Sequence, residues 1–233
     1  MATTSVTKPK SEFPRGVVAG IGIAIGYFPA ALTFGLLAKS TGLTFLEAVL
    51  MSSFVFAGAA QYMALNLIAL GTGALEIIFT TFIVNIRHLL MSASVSEKLE
   101  HDHPIKKAIC AFGITDEVFA VTTTQERKVT TSFVLGVGVI AYGSWVLHSA
   151  LGFLVGSALP QTIQESMAIA LYAMFIALLM PSLKKHRKVV SLAISAAMFN
   201  TLFVFFLPSG WSIIAATILS SLLIELVEKK EES

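Results

Sequence analysis

Charged residues are scarce in this chain of 233 residues, where Asp, Glu, Lys and Arg together make up only 13% of the sequence. An ordinary soluble domain contains about 25% of such residues. Hydrophobic residues account for 55% of the chain, and the mean hydropathy is +0.81. One soluble core could not bury so much apolar side chain. The composition therefore predicts an all-α, polytopic membrane protein embedded in the lipid bilayer.

Cysteine and the common catalytic motifs are also missing. The single cysteine, Cys110, excludes a disulfide framework and a CxxC metal site. HExxH, GxSxG and the nucleotide-binding GxxxxGK loop do not occur, which removes the simplest hydrolase and nucleotide-binding interpretations. His101-Asp102-His103 is too small a cluster for a convincing metal site. We therefore expect no cofactor and no metal. We also expect no nucleic-acid partner, because the basic residues lie in loops and form no nucleic-acid-binding pattern.

Long apolar runs predict seven or eight transmembrane helices, in a glycine-rich bundle with broken helices. The bundle is expected to cover residues 16–227, between cytoplasmic tails at 1–15 and 228–233. The runs lie at 16–38, 43–70, 74–91, 108–124, 129–159, 166–183, 189–207 and 211–227. Run 43–70 is longer than a span needs and run 108–124 is short and interrupted, so either could be re-entrant instead.

Small residues in matching positions suggest an internal repeat, on which many transporters are built. The matches at a common offset are Gly26 with Gly143, Gly35 with Gly152 and Ser40 with Ser157. Asn85 has an approximate counterpart in Asn200. Three matched small residues are weak support for a repeat.

The most unusual stretch is Asn85-Ile86-Arg87-His88, inside the third apolar run. An arginine within a spanning helix costs about 2.5–3.5 kcal/mol, so it usually faces a protein interior or a water-filled cavity. Asn85 and His88 share a helix face, and Arg87 points away from it. In the alternative interpretation, Arg87 and His88 lie close to the helix end and reach the headgroup layer.

Asp116 and Glu117 form the second costly feature, since they are adjacent acids near the centre of a predicted span. They offer a counter-charge for Arg87, because an unpaired charge in a span is expensive. In the alternative interpretation, the segment 108–124 lies at the membrane interface and does not cross.

A transporter for a small zwitterion would need groups of these kinds. Pro29 frees a backbone carbonyl, and Gly58 among alanines indicates either a close packing seam or a helix break. Broken-helix backbone and Arg87 could hold a carboxylate, while Gln61 and an acid could hold an ammonium group. The predicted substrate-binding residues are Pro29, Gly58, Gln61, Asn85 and Arg87. The predicted proton-coupling residues are His88, Asp116 and Glu117, since histidine and desolvated acids titrate near neutral pH.

Enzyme and pore interpretations are weaker. A membrane enzyme would need a nucleophile or metal set beside His88, Asp116 and Glu117, and none accompanies them in the sequence. The second-ranked hypothesis is an ion channel or pore subunit, in which Arg87 and the acid pair are structural or gating ion pairs.

The distribution of basic residues predicts the orientation. With eight spans and a cytoplasmic N-terminus, the inside segments carry eleven Lys and Arg and the outside segments carry four. This arrangement places the charged loop 96–107 outside, on the opposite face from the loop 125–128.

Four motifs along the chain resemble the AzlC family. They are Pro29 with Phe34-Gly35, Phe56-Ala-Gly-Ala-Ala-Gln61, Asn85-Ile-Arg-His88 and Thr115-Asp-Glu117. The resemblance implies the large subunit of a two-component exporter of branched-chain amino acids: valine, leucine, isoleucine and, as a further candidate, methionine. It also implies that the protein lies in the bacterial cytoplasmic (inner) membrane and that the proton gradient drives transport. A further implication is a small AzlD-like membrane partner of about four helices.

Overall fold

The computed structural model describes residues 12–100, 102–126, 128–185 and 187–231, and these residues are almost entirely helical. A short 3-10 helix, Gly156–Ala158, and one isolated bridge between Leu99 and Val129 complete the secondary structure. The α-helices in chain order are α1 (Glu12–Ser40), α2 (Phe45–Val55), α3 (Gly58–Ala69), α4 (Ala74–Lys98), α5 (Pro104–Phe112), α6 (Asp116–Thr123), α7 (Thr131–Val155), α8 (Gln161–Lys185), α9 (Arg187–Phe203) and α10 (Ser209–Glu231). The predicted all-α class is confirmed.

Among the described residues, three helices are long and apolar enough to cross a membrane: α1, α4, and α7 with its 3-10 extension to Ala158. Two shorter apolar segments, Phe45–Val55 and Gly210–Leu226, accompany them. A membrane protein is therefore supported, whereas the number of seven or eight spans and the internal repeat remain predictions. The bundle boundaries also remain predictions, although α1 begins before the predicted end of the N-terminal tail and α10 extends past residue 227.

Contacts between residues divide the chain into two compact units, and the division falls inside α1, α4 and α7. The first unit contains the chain up to Phe28 together with His88–Trp145. The second contains Pro29–Arg87 and the chain from Val146 onwards. Each unit is described by itself below.

In the first unit, the predicted span 108–124 is broken into the short helices α5 and α6, separated by Gly113-Ile114-Thr115. Nine and eight residues extend for only about 12–14 Å at 1.5 Å per residue, less than half the hydrocarbon thickness. Neither helix can therefore cross a bilayer alone.

The two ends of the α5–α6 segment also meet. The Lys98 ammonium group, at the end of α4, donates a 2.5 Å hydrogen bond to the Thr123 carbonyl in the last turn of α6. Glu100 and Val129 are joined by a backbone hydrogen bond of 3.1 Å. The segment thus leaves and returns at the same place, as a re-entrant segment does. The prediction that loops 96–107 and 125–128 lie on opposite faces is wrong, because hydropathy cannot tell a returning segment from a crossing one.

In the second unit, the overlong run 43–70 is also broken. A capping box between Thr44 and Glu47 starts α2, and α2 ends where Phe56 adopts a left-handed conformation with φ of 39°. Such a conformation is strained for a bulky residue and costs about 1–3 kcal/mol. Of the two interpretations of the Gly58 region, the structure has a break, with Gly58 as the first residue of α3.

Glycines pack α1 directly against the backbone of α7 in each unit. In the first unit a Cβ atom on Gly16 would overlap the backbone of Phe133. In the second unit a Cβ atom on Gly35 would overlap the backbone of Ser149 and crowd Gly152. Close helix packing thus explains Gly16, Gly20 and Gly35 of α1, whereas Gly22 and Gly26 face open space.

Candidate functional site

A buried polar cluster lies beside the break between α5 and α6. The Tyr27 hydroxyl, on α1, is 2.5 Å from Oε2 of Glu117 and 2.8 Å from the Thr115 hydroxyl. Tyr27 is 4% exposed and Thr115 is 5% exposed. Glu117, one of the proton-coupling residues predicted from the sequence, therefore has a hydrogen-bond partner from another helix.

The start of α6 positions this cluster. The Thr115 hydroxyl caps the helix by accepting the Val118 N–H at 3.4 Å. Asp116 and Glu117 occupy the first turn, where the helix dipole favours negative charge. Residues that look like an expensive interruption of a span are therefore the cap and first turn of a short helix.

Trp145 on α7 holds the Tyr27 ring from the side. The two ring centroids are 5.1 Å apart with an interplanar angle of 77°, the edge-to-face arrangement that aromatic pairs prefer. The neighbouring Ser144 hydroxyl donates a 2.7 Å hydrogen bond to the Ala24 carbonyl of α1. These contacts between α1 and α7 hold the Tyr27 hydroxyl at a fixed position along α7.

Sequence reasoning missed Tyr27, which lies two residues from Pro29 in an apolar run. A signal was available, because a tyrosine hydroxyl buried in a span needs a hydrogen-bond partner. The sequence alone does not reveal that this partner lies about ninety residues away.

Asn85, Arg87 and His88 lie near the middle of α4, and all three are half-buried. The helix continues for about ten residues, or roughly 15 Å, from His88 to Lys98. This length weakens the interpretation that Arg87 and His88 lie at a helix end. The pairing of Arg87 with the acid pair remains a prediction, as does a role for Asn85 and His88.

The second unit brings the Pro29 region of α1 close to the start of α3. The Tyr62 hydroxyl donates a 2.7 Å hydrogen bond to the Ala30 carbonyl, and the Tyr62 ring contacts Phe34 with centroids 5.9 Å apart. Gln61 is completely buried and donates to the Ser52 hydroxyl at 3.2 Å. The predicted binding residues Pro29, Gly58 and Gln61 thus belong to one region of the molecule.

The start of α3 differs from the start of α6, because it has no side-chain cap. The capping position is Ala57, which makes no side-chain hydrogen bond, and the first turn of α3 contains no acid. Phe56 and Ala57 are 3% and 4% exposed. A buried helix start with uncapped N–H groups is a natural binding place for a carboxylate.

A polar cleft of about 530 Å³ opens at the end of the first unit where α1 begins. Arg15 donates to Gln125 at 2.8 Å and lies 5.0 Å from the centre of the Phe133 ring. Nearby, hydrogen bonds from the Thr131 hydroxyl, the His103 N–H and Lys106 lower the pKa of Asp102 to about 2. Asp102 is therefore an anion throughout the physiological pH range.

Comparison with known proteins places these features in a family. The AzlC protein family matches residues 22–159, a range that contains all four motifs noted above. The chain belongs to the AzlC family. It is 37% identical over 174 residues to an uncharacterized membrane protein of Archaeoglobus fulgidus, covering 74% of this chain and 76% of that relative.

Two other relatives of this AzlC family member have more informative names. The inner membrane protein YgaZ of Escherichia coli is 30% identical over 200 residues, covering 82% of this chain and 80% of YgaZ. The branched-chain amino acid transport protein AzlC of Bacillus subtilis is 25% identical over 182 residues, covering 77% and 69%. No solved structure matches the chain significantly. Family membership therefore supports a role for this protein in membrane transport.

Proposed function

We propose that this protein is a secondary transporter, not an enzyme, which exports branched-chain amino acids in exchange for protons. The single observation that carries the proposal is the break between α2 and α3, where a buried helix start has no cap of its own. The name of the Bacillus subtilis relative supports an amino-acid substrate. Valine, leucine and isoleucine are the proposed substrates, with methionine as a further candidate.

The substrate carboxylate binds at the N–H groups that begin α3. Gly58, the half-buried first residue of α3, has no side chain to cover these groups, and the helix dipole favours the negative charge. Buried Gln61 reaches Ser52 and offers amide groups beside this position. Apolar side chains of the bundle accept the branched side chain, and Asn85 and Arg87 remain proposed contributors from α4.

Glu117 is the leading proton-coupling group of this proposal. It is an acid in a transmembrane bundle, and its carboxyl oxygen has a hydroxyl partner on another helix. Acids in such positions are typical of proton relays in transporters. His88 and Asp116 are the other candidates.

A small AzlD-like membrane subunit is the proposed partner, on the basis of the family resemblance. The competing hypothesis of a channel or pore subunit would assign Arg87, Asp116 and Glu117 to gating ion pairs. Saturable flux stimulated by amino acid on the opposite side favours the carrier, whereas conductance favours the pore.

The N-terminus is proposed to face the cytoplasm of a bacterial cell, across the cytoplasmic (inner) membrane. Contacts join the two ends of the α5–α6 segment to each other and to the start of α1, so these parts of the chain share one face of the first unit. Among the described residues, this face carries the basic side chains of Arg15, Lys98, Lys106, Lys107 and Lys128. Such a concentration of basic residues marks the cytoplasmic face.

Efflux of preloaded, labelled leucine from vesicles tests the proposal, with and without the small partner. We expect saturable efflux that responds to the proton gradient. Gly58→Leu should abolish it, because a large side chain would cover the start of α3. The matched control is Leu219→Met, on an exposed position of α10, which should leave efflux unchanged. Normal efflux by Gly58→Leu would remove the α3 start from the site, and conductance without saturation would favour the pore.

A further inference from the structure

The hydroxyl groups of Thr115 and Tyr27 and the carboxyl group of Glu117 form a continuous chain of hydrogen bonds. The phenol oxygen of Tyr27 is within hydrogen-bonding distance of both neighbours, at 2.8 Å and 2.5 Å. A phenol has one proton, so Tyr27 can donate to only one of them at a time. From the other neighbour it can only accept.

The charge of Glu117 decides the direction. When Glu117 is ionised it can only accept, so Tyr27 donates to Oε2, and the Thr115 hydroxyl, which also contacts the Glu117 carboxyl group, donates to Tyr27 or to the carboxylate. When Glu117 carries a proton, its O–H donates to Tyr27, and Tyr27 donates to Thr115. The Thr115 oxygen has two lone pairs and can accept this bond as well as the one from the Val118 N–H.

We propose that Tyr27 is the positioning residue for the proton on Glu117, and that the hydroxyl chain from Thr115 to Glu117 reverses its direction each time Glu117 gains or loses that proton. The step adds one proton from water to Glu117 Oε2 and transfers no electrons. The inference rests on the proposed function in one respect, namely that Glu117 couples transport to protons. Its geometry stands on the contacts of Tyr27 alone.

Groups next to Tyr27 and Glu117 also influence the proton on Glu117. The contacts above place two titratable groups beside Glu117: Tyr27 from α1 and Asp116, the preceding residue of α6. Helix α7 contributes Trp145 and Ser144, neither of which titrates near neutral pH. The edge-on Trp145 ring keeps the phenol in place, so removal of the hydroxyl alone leaves the packing intact.

The test follows the proton on Glu117 directly by infrared difference spectroscopy of the full chain in lipid nanodiscs. The band of the protonated carboxyl group is assigned with Glu117→Gln and followed against pH in the parent. Tyr27→Phe keeps the ring and removes the hydroxyl. We expect the midpoint of the Glu117 band to move to higher pH by about one unit, because a hydrogen bond donated to the carboxylate is lost.

Two comparisons keep the experiment decisive. Tyr142→Phe removes a hydroxyl from a half-buried tyrosine of α7 whose ring packs on Phe112, and it should leave the midpoint unchanged. Thr115→Val should move the midpoint in the same direction by less, whereas Thr115→Ser should keep it. If Tyr27→Phe does not elute as a folded protein, the Thr115 pair decides.

An unchanged midpoint in Tyr27→Phe, or an equal shift in Tyr142→Phe, would overturn the inference. Leucine efflux is measured on the same variants to separate the two proposals. A shifted band in a protein that does not transport leucine would contradict the proposed function and leave the hydroxyl chain standing. Leucine efflux with an unshifted band would contradict the hydroxyl chain alone.

Discussion

The two broken helices of this protein begin their second halves in opposite ways. Helix α6 starts with the Thr115 cap and with two acids in its first turn. Helix α3 starts at Gly58, and its capping residue Ala57 follows the strained Phe56 and provides no side-chain cap, while the first turn contains no acid. Both starts have the same excess of backbone N–H groups, because every α-helix does.

This difference separates two chemical roles. The start of α6 contains its own anion, so it is suited to holding and releasing a proton rather than a carboxylate ligand. The start of α3 lacks an anion, so a carboxylate from outside the chain can satisfy its N–H groups. Strain at Phe56 is consistent with a backbone held in place for binding.

The strongest way to break the comparison is to give α3 the anion that it lacks. We expect Ala57→Asp to inhibit leucine efflux by about 100-fold or more, since its carboxylate would occupy the N–H groups from within the chain and compete with the substrate. Ala57→Ser, a neutral cap of similar size, should retain most of the efflux. Both variants are measured as initial rates of efflux from vesicles at equal protein content.

Equal inhibition by Ala57→Ser and Ala57→Asp would show that the position senses side-chain volume and not charge. Full activity of Ala57→Asp would remove the α3 start from substrate binding.

The second way is to remove the proposed counter-charge of the acids in α6. Arg87→Ala should lower the amount of folded protein in the membrane, because an acid pair without a cation is costly within a span. Combining it with Asp116→Asn or Glu117→Gln should restore part of the yield. Yield is measured by fluorescence-detected size exclusion, with Lys107→Ala as a control for loss of a cation from the start of α5.

If every double variant is no better expressed than Arg87→Ala, Arg87 is not the partner of the acids. The Tyr27 hydroxyl would then be the main support of Glu117.

The smallest effect is expected from cysteine labelling, which tests on which side of the membrane the two ends of the α5–α6 segment lie. In a Cys110→Ala background, Lys106→Cys places a thiol in the first turn of α5 and Lys128→Cys places one in the loop after α6, and both positions are exposed. We expect a membrane-impermeant maleimide to label both from the same side and Ser40→Cys from the other. Efflux should change less than about twofold, since the Lys106–Asp102 ion pair is exposed and contributes little.

Labelling of Lys106→Cys and Lys128→Cys from opposite sides would show that the segment crosses the membrane. The contrast between α3 and α6 would then need a different topology.

The sequence predicts the class of this fold and the positions of its helix breaks. It does not predict the backbone conformation at those breaks. Composition and apolar runs indicate helices in a membrane, and the unusual length of 43–70 indicates a break. The break lies at Phe56 and Ala57, next to the Gly58 that suggested it, because the strained turn precedes the helix start. The sidedness of loop 96–107 escaped prediction, since a returning segment and a crossing one have the same hydropathy.

The sequence also does not predict hydrogen bonds between residues that are far apart along the chain. Tyr27 reaches Glu117 from another helix, and nothing local to either residue specifies the other. The same holds for Glu76 at the start of α4, whose carboxylate accepts a 2.8 Å hydrogen bond from the Gly210 N–H and so caps α10. Such contacts depend on how helices pack, which periodicity does not encode.

The glycine contacts between α1 and α7 have a consequence for how this transporter works. At Gly16 and at Gly35 the backbones of the two helices touch, so neither helix can slide or rotate against the other without collision at these points. Any movement that exposes a substrate first to one side and then to the other must spare these contacts. Within each unit, α1 and α7 are therefore locked together at these glycines, and substitution of Gly16 or Gly35 by a larger residue would force the two helices apart.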